Sequence, residues 1–88
     1  MKVVKKDHRE ESFQLEKLER SIENSARDIK LELNKSDLKL ISRSVLKKIT
    51  MIHGADGKTS SYEIIGVTVN VLKEDKFDII IPSYLNLI

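Results

Sequence analysis

The sequence holds few side chains able to make or break covalent bonds. Its 88 residues include no cysteine, which removes thiol nucleophiles, thiolate metal sites and disulfides together. His8 and His53 lie far apart, each among turn-forming residues, with no metal-ligand spacing such as H-E-x-x-H. No serine sits in a G-x-S-x-G elbow, and Glu10-Glu11 reads as a solvated strand end rather than an acid/base pair. Gly54-Ala55-Asp56-Gly57-Lys58-Thr59 approaches a phosphate-binding P-loop, but that motif needs a glycine where Ile52 stands. Catalysis is therefore not expected. The remaining chemistry is electrostatic, carried by 16 lysine and arginine side chains.

Composition narrows the setting. Hydrophobic residues make up 40% and charged residues 34% of the chain, which suits one soluble globular domain spanning residues 1–88. The net charge of +2 comes from 16 basic and 14 acidic residues interleaved along the sequence, so no charged tail of the kind that grips nucleic acid is expected. The longest apolar run, Ile79-Ile80-Ile81, is far short of the ~20 residues that cross a bilayer. Basic residues at the N-terminus have no apolar stretch behind them, as a signal peptide would require. The expectation is a cytoplasmic protein without a membrane partner.

The cations need elements to position them. Met1 to Lys6 reads as a strand centred on Val3 and Val4, Lys6 to Arg9 as a turn, and Glu10 to Phe13 as the returning strand. Leu15, Leu18, Ile22, Ala26 and Ile29 form one stripe of an α-helix. A second helix follows, with Ser36 as its N-cap and Leu38, Ile41, Val45, Ile49 and Ile52 as its apolar stripe. His53 to Gly57 ends it. Thr59 or Ser60 can cap a third helix, with Glu63 at the capping-box distance from Ser60. Against that, Val67, Val69 and Val71 alternate with Thr68 and Asn70, the period of a strand. Pro82 predicts either a kinked helix interior or an edge strand.

The run from Val3 to Leu18 resembles the signature of the ATP-cone family, V-x-K-R-D-G-R-x-E-x-F-D-x-x-K-I. Lys5, Asp7, Arg9, Glu11, Phe13 and Lys17 match it directly, Lys6 stands for the usual Arg, and Leu18 for the usual Ile. Ala26 falls where the family puts a small residue, and Thr59 to Ile64 looks like its S/T-x-x-E-I helix opening. Leu72 to Asp75 and the segment ending at Ser83-Tyr84 echo the cone of the ribonucleotide reductase repressors.

The resemblance implies an α+β, mainly α fold: a small bundle of about four helices capped by an N-terminal β-hairpin, with the segment after Ser61 helical. It implies a non-catalytic module that binds ATP or dATP, with Mg where the nucleotide carries it, and acts as an allosteric or oligomerisation switch. The implied nucleotide contacts are Val4, Lys5, Lys6, Arg9, Glu11, Gln14, Lys17 and Thr59. In this scheme the lysines meet the phosphates, Glu11 and Gln14 read the adenine edge, and Thr59 supplies a hydroxyl. Lacking a catalytic barrel or zinc ribbon, the chain looks like a free-standing cone, with a homo-oligomer or a ribonucleotide-reductase-related protein as partner.

Three positions depart from the pattern. His8 replaces the turn glycine, so the turn must accept a side chain at positive φ or change type. Gln14 replaces the capping Asp, and Pro82 falls in the last helix. Glu11 has a simpler alternative, an ion pair with Arg9 across the turn. Two other functions stay open: a cone that has lost its ligand and serves as a dimerisation scaffold, and a nucleic-acid-binding regulator, which the interleaved charges disfavour.

Overall fold

A computed structural model describes residues 1–88. Strand β1 (Lys2–Val4) turns back into β2 (Glu10–Ser12), and helices α1 (Leu15–Asp28) and α2 (Lys35–His53) follow. Strand β3 (Lys58–Ser60) leads directly into α3 (Ser61–Glu74), and a 3-10 turn (Asp78–Ile80) runs into α4 (Ile81–Leu87). The fold is α+β and mainly α, with four helices and a small sheet. No helix is long and apolar enough to cross a membrane.

The expected hairpin is present, and it is part of something larger. The sheet has three strands in the order β2-β1-β3, β1 pairing antiparallel with β2 and parallel with β3. In this register Val3 faces Glu11 on one side and Thr59 on the other. A bare two-stranded hairpin is marginal in water, so the third strand is what ties the hairpin to the helices. The sequence pattern concealed β3 because three residues, Lys58-Thr59-Ser60, carry no apolar alternation. The turn is closed by Lys5 N–H to Arg9 O at 2.8 Å and His8 N–H to Lys5 O at 2.9 Å. His8 accepts φ = 68°, so the side chain stands where the family has glycine.

Leu18, Ile22 and Ala26 from α1 meet Leu38, Ile41, Val45 and Ile49 from α2, with Val71, Leu72, Ile80 and Tyr84 completing the core. The α2 stripe stops one turn earlier than its spacing predicts: Ile52 is 62% exposed. Its start also differs. The N-cap is Asn34, whose side chain accepts from Asp37 N–H at 2.7 Å, so Ser36 lies inside the first turn.

The segment from Ser61 to Glu74 is a helix, and the valine alternation is misleading for an identifiable reason. Thr68 is fully buried, its hydroxyl donating to Ile64 O at 2.7 Å, so a residue that reads as polar occupies a core position. Counting Thr68 as interior, the stripe becomes Ile64, Ile65, Thr68, Val71 and Leu72, a helical period, with Val67 and Val69 on its flanks. Ser60 caps this helix by accepting from Glu63 N–H at 3.1 Å, as the capping-box spacing predicts.

Pro82 takes neither predicted role. It sits in the first turn of α4, where a missing N–H costs no helical hydrogen bond and a fixed φ favours entry. Ser83 then pins α4 to α1, its hydroxyl lying 2.8 Å from Ser25 O and 3.1 Å from Asp28 Oδ2.

Candidate functional site

β1 and β2 and the first turns of α1 and α3, with Tyr84 and Ile88 from the C-terminal end, surround a cleft of about 320 Å³. Lys5, Glu11, Gln14 and Lys17 form its polar side. Phe13, Leu18, Ile64, Ile65 and Tyr84 form its apolar side. Chain geometry explains the meeting. Lys5 directly follows β1, Glu11 is on β2, and Lys17 is in the first turn of the helix that β2 runs into.

A second trough, lined only by polar and charged residues, adjoins the cleft through two shared residues, Lys5 and Ser61. Lys6, Asp7 and Arg9 complete it. Together the two hollows present an apolar wall, a carboxylate and an amide, and then a cluster of cations. That gradient suits a molecule with a flat apolar end and an anionic tail.

Glu11 is the hub of the polar side. Its Oε2 lies 3.7 Å from Lys5 Nζ and 3.8 Å from Lys17 Nζ. Pairs this long and this exposed contribute a few tenths of a kcal/mol each, so they orient the lysines more than they hold the fold. The alternative pairing with Arg9 is not made: Arg9 Nε donates to Asp7 Oδ2 at 2.6 Å instead. Lys6 Nζ stands 5.5 Å from the centre of the Tyr62 ring, a cation–π arrangement.

Gln14 is the N-cap of α1 but its side chain makes no capping hydrogen bond, so the leading amides of α1 lack a side-chain acceptor beside the cleft. Lys17 N–H turns back to Gln14 O at 3.2 Å, and the N–H groups ahead of it, with the helix dipole behind them, favour an anion. Tyr84 is 2% exposed, and burial pushes its phenol above the ordinary range, so it stays neutral.

Two expected residues stand elsewhere. Val4, on the central strand, pairs with Glu10 and Ser60 and lines neither hollow. Thr59 is buried, and its hydroxyl donates to Glu63 Oε1 at 2.6 Å. His53 Nε2 lies 2.7 Å from the same oxygen. The Thr59 hydrogen bond holds the Glu63 carboxyl below its ordinary value, partial burial opposes it, and His53 adds to the lowering.

Sequence reasoning missed Ser61, which belongs to both hollows, and the apolar wall from α3 and α4. Ser61 was within reach as the residue after the Ser60 cap. The wall was not, because it depends on how the last two helices pack.

A polar-to-apolar cleft on a small helical bundle beside a three-stranded sheet defines a class of small ligand-binding domains. The ATP cone domain family matches residues 1–86, and the chain belongs to that family. The ATP cone is a nucleotide-binding regulatory domain, and its members generally bind ATP or dATP. No curated protein matches the sequence.

Proposed function

We propose that residues 1–88 act as one unit that binds ATP or dATP in the cleft and switches between assembly states without hydrolysing the nucleotide. The adenine lies against Phe13, Leu18, Ile64 and Ile65, with Glu11 accepting from its exocyclic amine and Gln14 meeting the ring edge. The phosphates run towards Lys5, Lys6, Lys17 and Arg9, and Mg²⁺ arrives with them. Val4 acts through the strand that carries Lys5 and Lys6. Thr59 orients Glu63 and joins the phosphates only by exchanging that bond. The supporting observation is the continuity of the apolar cleft with the cationic trough through Lys5 and Ser61.

A switch of this kind requires only that ATP and dATP bind two assembly states with different affinities. The proposed partner is a second copy of the chain or a ribonucleotide-reductase-related protein, in the cytoplasm. Calorimetric titration of wild type, Lys5→Ala and Lys17→Ala with MgATP and dATP tests the site. Each substitution should weaken binding about tenfold or more, in line with ~1.5–3 kcal/mol for a charge-assisted contact. Equal affinity in all three proteins would remove the assignment. Light scattering with and without nucleotide tests the switch.

One observation favours a second reading. Glu11 already pairs with both Lys5 and Lys17, and Thr59 is already committed to Glu63. A cone that has lost its ligand and serves as a dimerisation scaffold would look the same, and would give a stable dimer with no response to nucleotide.

A further inference from the structure

The modest net charge hides an uneven distribution. Helix α2 carries Lys35, Lys39, Arg43, Lys47 and Lys48 against a single acid, Asp37. The remaining residues hold eleven basic side chains against thirteen acidic ones, so α2 alone accounts for the positive excess of the protein.

Lys39, Arg43 and Lys47 recur every fourth residue, are exposed, and enter none of the ion pairs of the molecule. Beside them run Ser36, Leu40 and Ser44, and the two rows line a shallow groove that contains no carboxylate. No residue of α2 lines the nucleotide cleft or its trough. The groove is a separate surface.

We propose that this face of α2 docks on the phosphate backbone of duplex nucleic acid, independently of base sequence. At 1.5 Å per residue the three cations span about 12 Å. That length covers roughly three or four phosphates of one strand at ~3.4 Å each. The serine hydroxyls supply further donors of the kind that meet phosphate oxygens.

Other occupants fit less well. Protein interfaces centre on aromatic and large apolar anchors, and here the only hydrophobic lining residue is Leu40. Single strands need aromatic platforms for stacking, and the groove has none. A membrane-surface helix must free its apolar face, whereas Leu38, Ile41, Val45 and Ile49 are buried in the bundle. On the far flank, Lys35 and Lys39 border Glu16, Glu19 and Glu23 of α1, with Arg20 as the single cation among these α1 residues. That acidic ridge repels a second strand and confines the contact to the α2 side.

Fluorescence anisotropy with a random-sequence DNA duplex, over a salt series, tests the proposal. Wild type should bind weakly at 50 mM salt, with log K falling against log salt at a slope of about −2.7 for three neutralised phosphates. The triple variant Lys39→Gln, Arg43→Gln, Lys47→Gln should lose at least tenfold in affinity and most of that slope. It should keep its helical signal and its thermal midpoint, because the three side chains are exposed. Saturating ATP should leave duplex binding unchanged, and a separate ATP titration reads the cleft, so the two sites succeed or fail independently. Undetectable binding by wild type at 50 mM salt would overturn the proposal, as would equal binding by the triple variant. Tighter binding of poly-glutamate than of the duplex at equal charge and salt would also overturn it, assigning the face to an acidic protein.

Discussion

Glu63 and His53 face each other where α2 gives way to α3, Glu63 Oε1 lying 2.7 Å from His53 Nε2. The same oxygen accepts from Thr59 on β3, so one carboxylate joins a helix C-terminus, a strand and a helix N-terminus. Because the folded state holds the Glu63 carboxyl below its ordinary value of 4.5, the contribution is full above that value. It is lost as pH falls below 4.5 through the folded value. Chemical denaturation from pH 7 to pH 3 should show this acid-side loss in wild type. Glu63→Gln should show less of it, and should cost about 1 kcal/mol at pH 7.

Glu11 carries the proposed choice of base. Glu11→Gln keeps the size of the side chain but replaces one of the two carboxylate acceptors with an amide N–H donor, where adenine also donates. The preference for ATP over GTP should shrink by about tenfold in competition titrations, roughly 1.4 kcal/mol. Preservation of the preference would return Glu11 to the simpler role of steadying Lys5 and Lys17.

Lys30 and Lys76 end α1 and α3 in the left-handed region, at φ = 59° and φ = 64°. In each case the next residue reaches back to the helix, Leu31 N–H to Ala26 O at 2.8 Å and Phe77 N–H to Leu72 O at 2.7 Å. Glycine is the residue this geometry favours. Lys76→Gly should raise stability by about 0.5–1 kcal/mol, read as a higher melting midpoint, with Lys30→Gly behaving alike.

Gly57 lies against the end of α2, where a side-chain carbon would meet the backbone of His53. Its carbonyl also accepts from Lys2 N–H at 3.1 Å, which starts the β1–β3 pairing. Gly57→Ala should therefore destabilise the protein by about 1–3 kcal/mol and loosen β3 first. Amide exchange should rise earliest in residues 58–60.

Ser83 is the polar link between α4 and α1. Ser83→Ala leaves the Asp28 carboxylate and the Ser25 carbonyl each without that partner, at a cost of about 1–2 kcal/mol. Tyr84 follows it in sequence and lines the cleft, so nucleotide affinity should fall as well.

The sequence by itself determined the hairpin, the two long helices and the group Lys5, Glu11, Gln14 and Lys17. All of these depend on local rules: β-branched residues flanking a turn, a stripe at helical spacing, and a motif whose members lie within one supersecondary unit. Further along the chain the sequence supplied the Ser60–Glu63 cap and a resemblance that implied a helix, and the tertiary structure decided the rest. Burial of Thr68 made a helix of an alternating run, because a hydroxyl that bonds its own backbone can stand in a core. Parallel pairing with β1 made a strand of Lys58-Thr59-Ser60, three residues with no pattern of their own. Burial of Leu38, Ile41, Val45 and Ile49 on one side of α2 left Lys39, Arg43 and Lys47 facing solvent on the other. Each of these outcomes depends on a partner distant in sequence or on which side of an element meets solvent, and both are properties of the packed molecule.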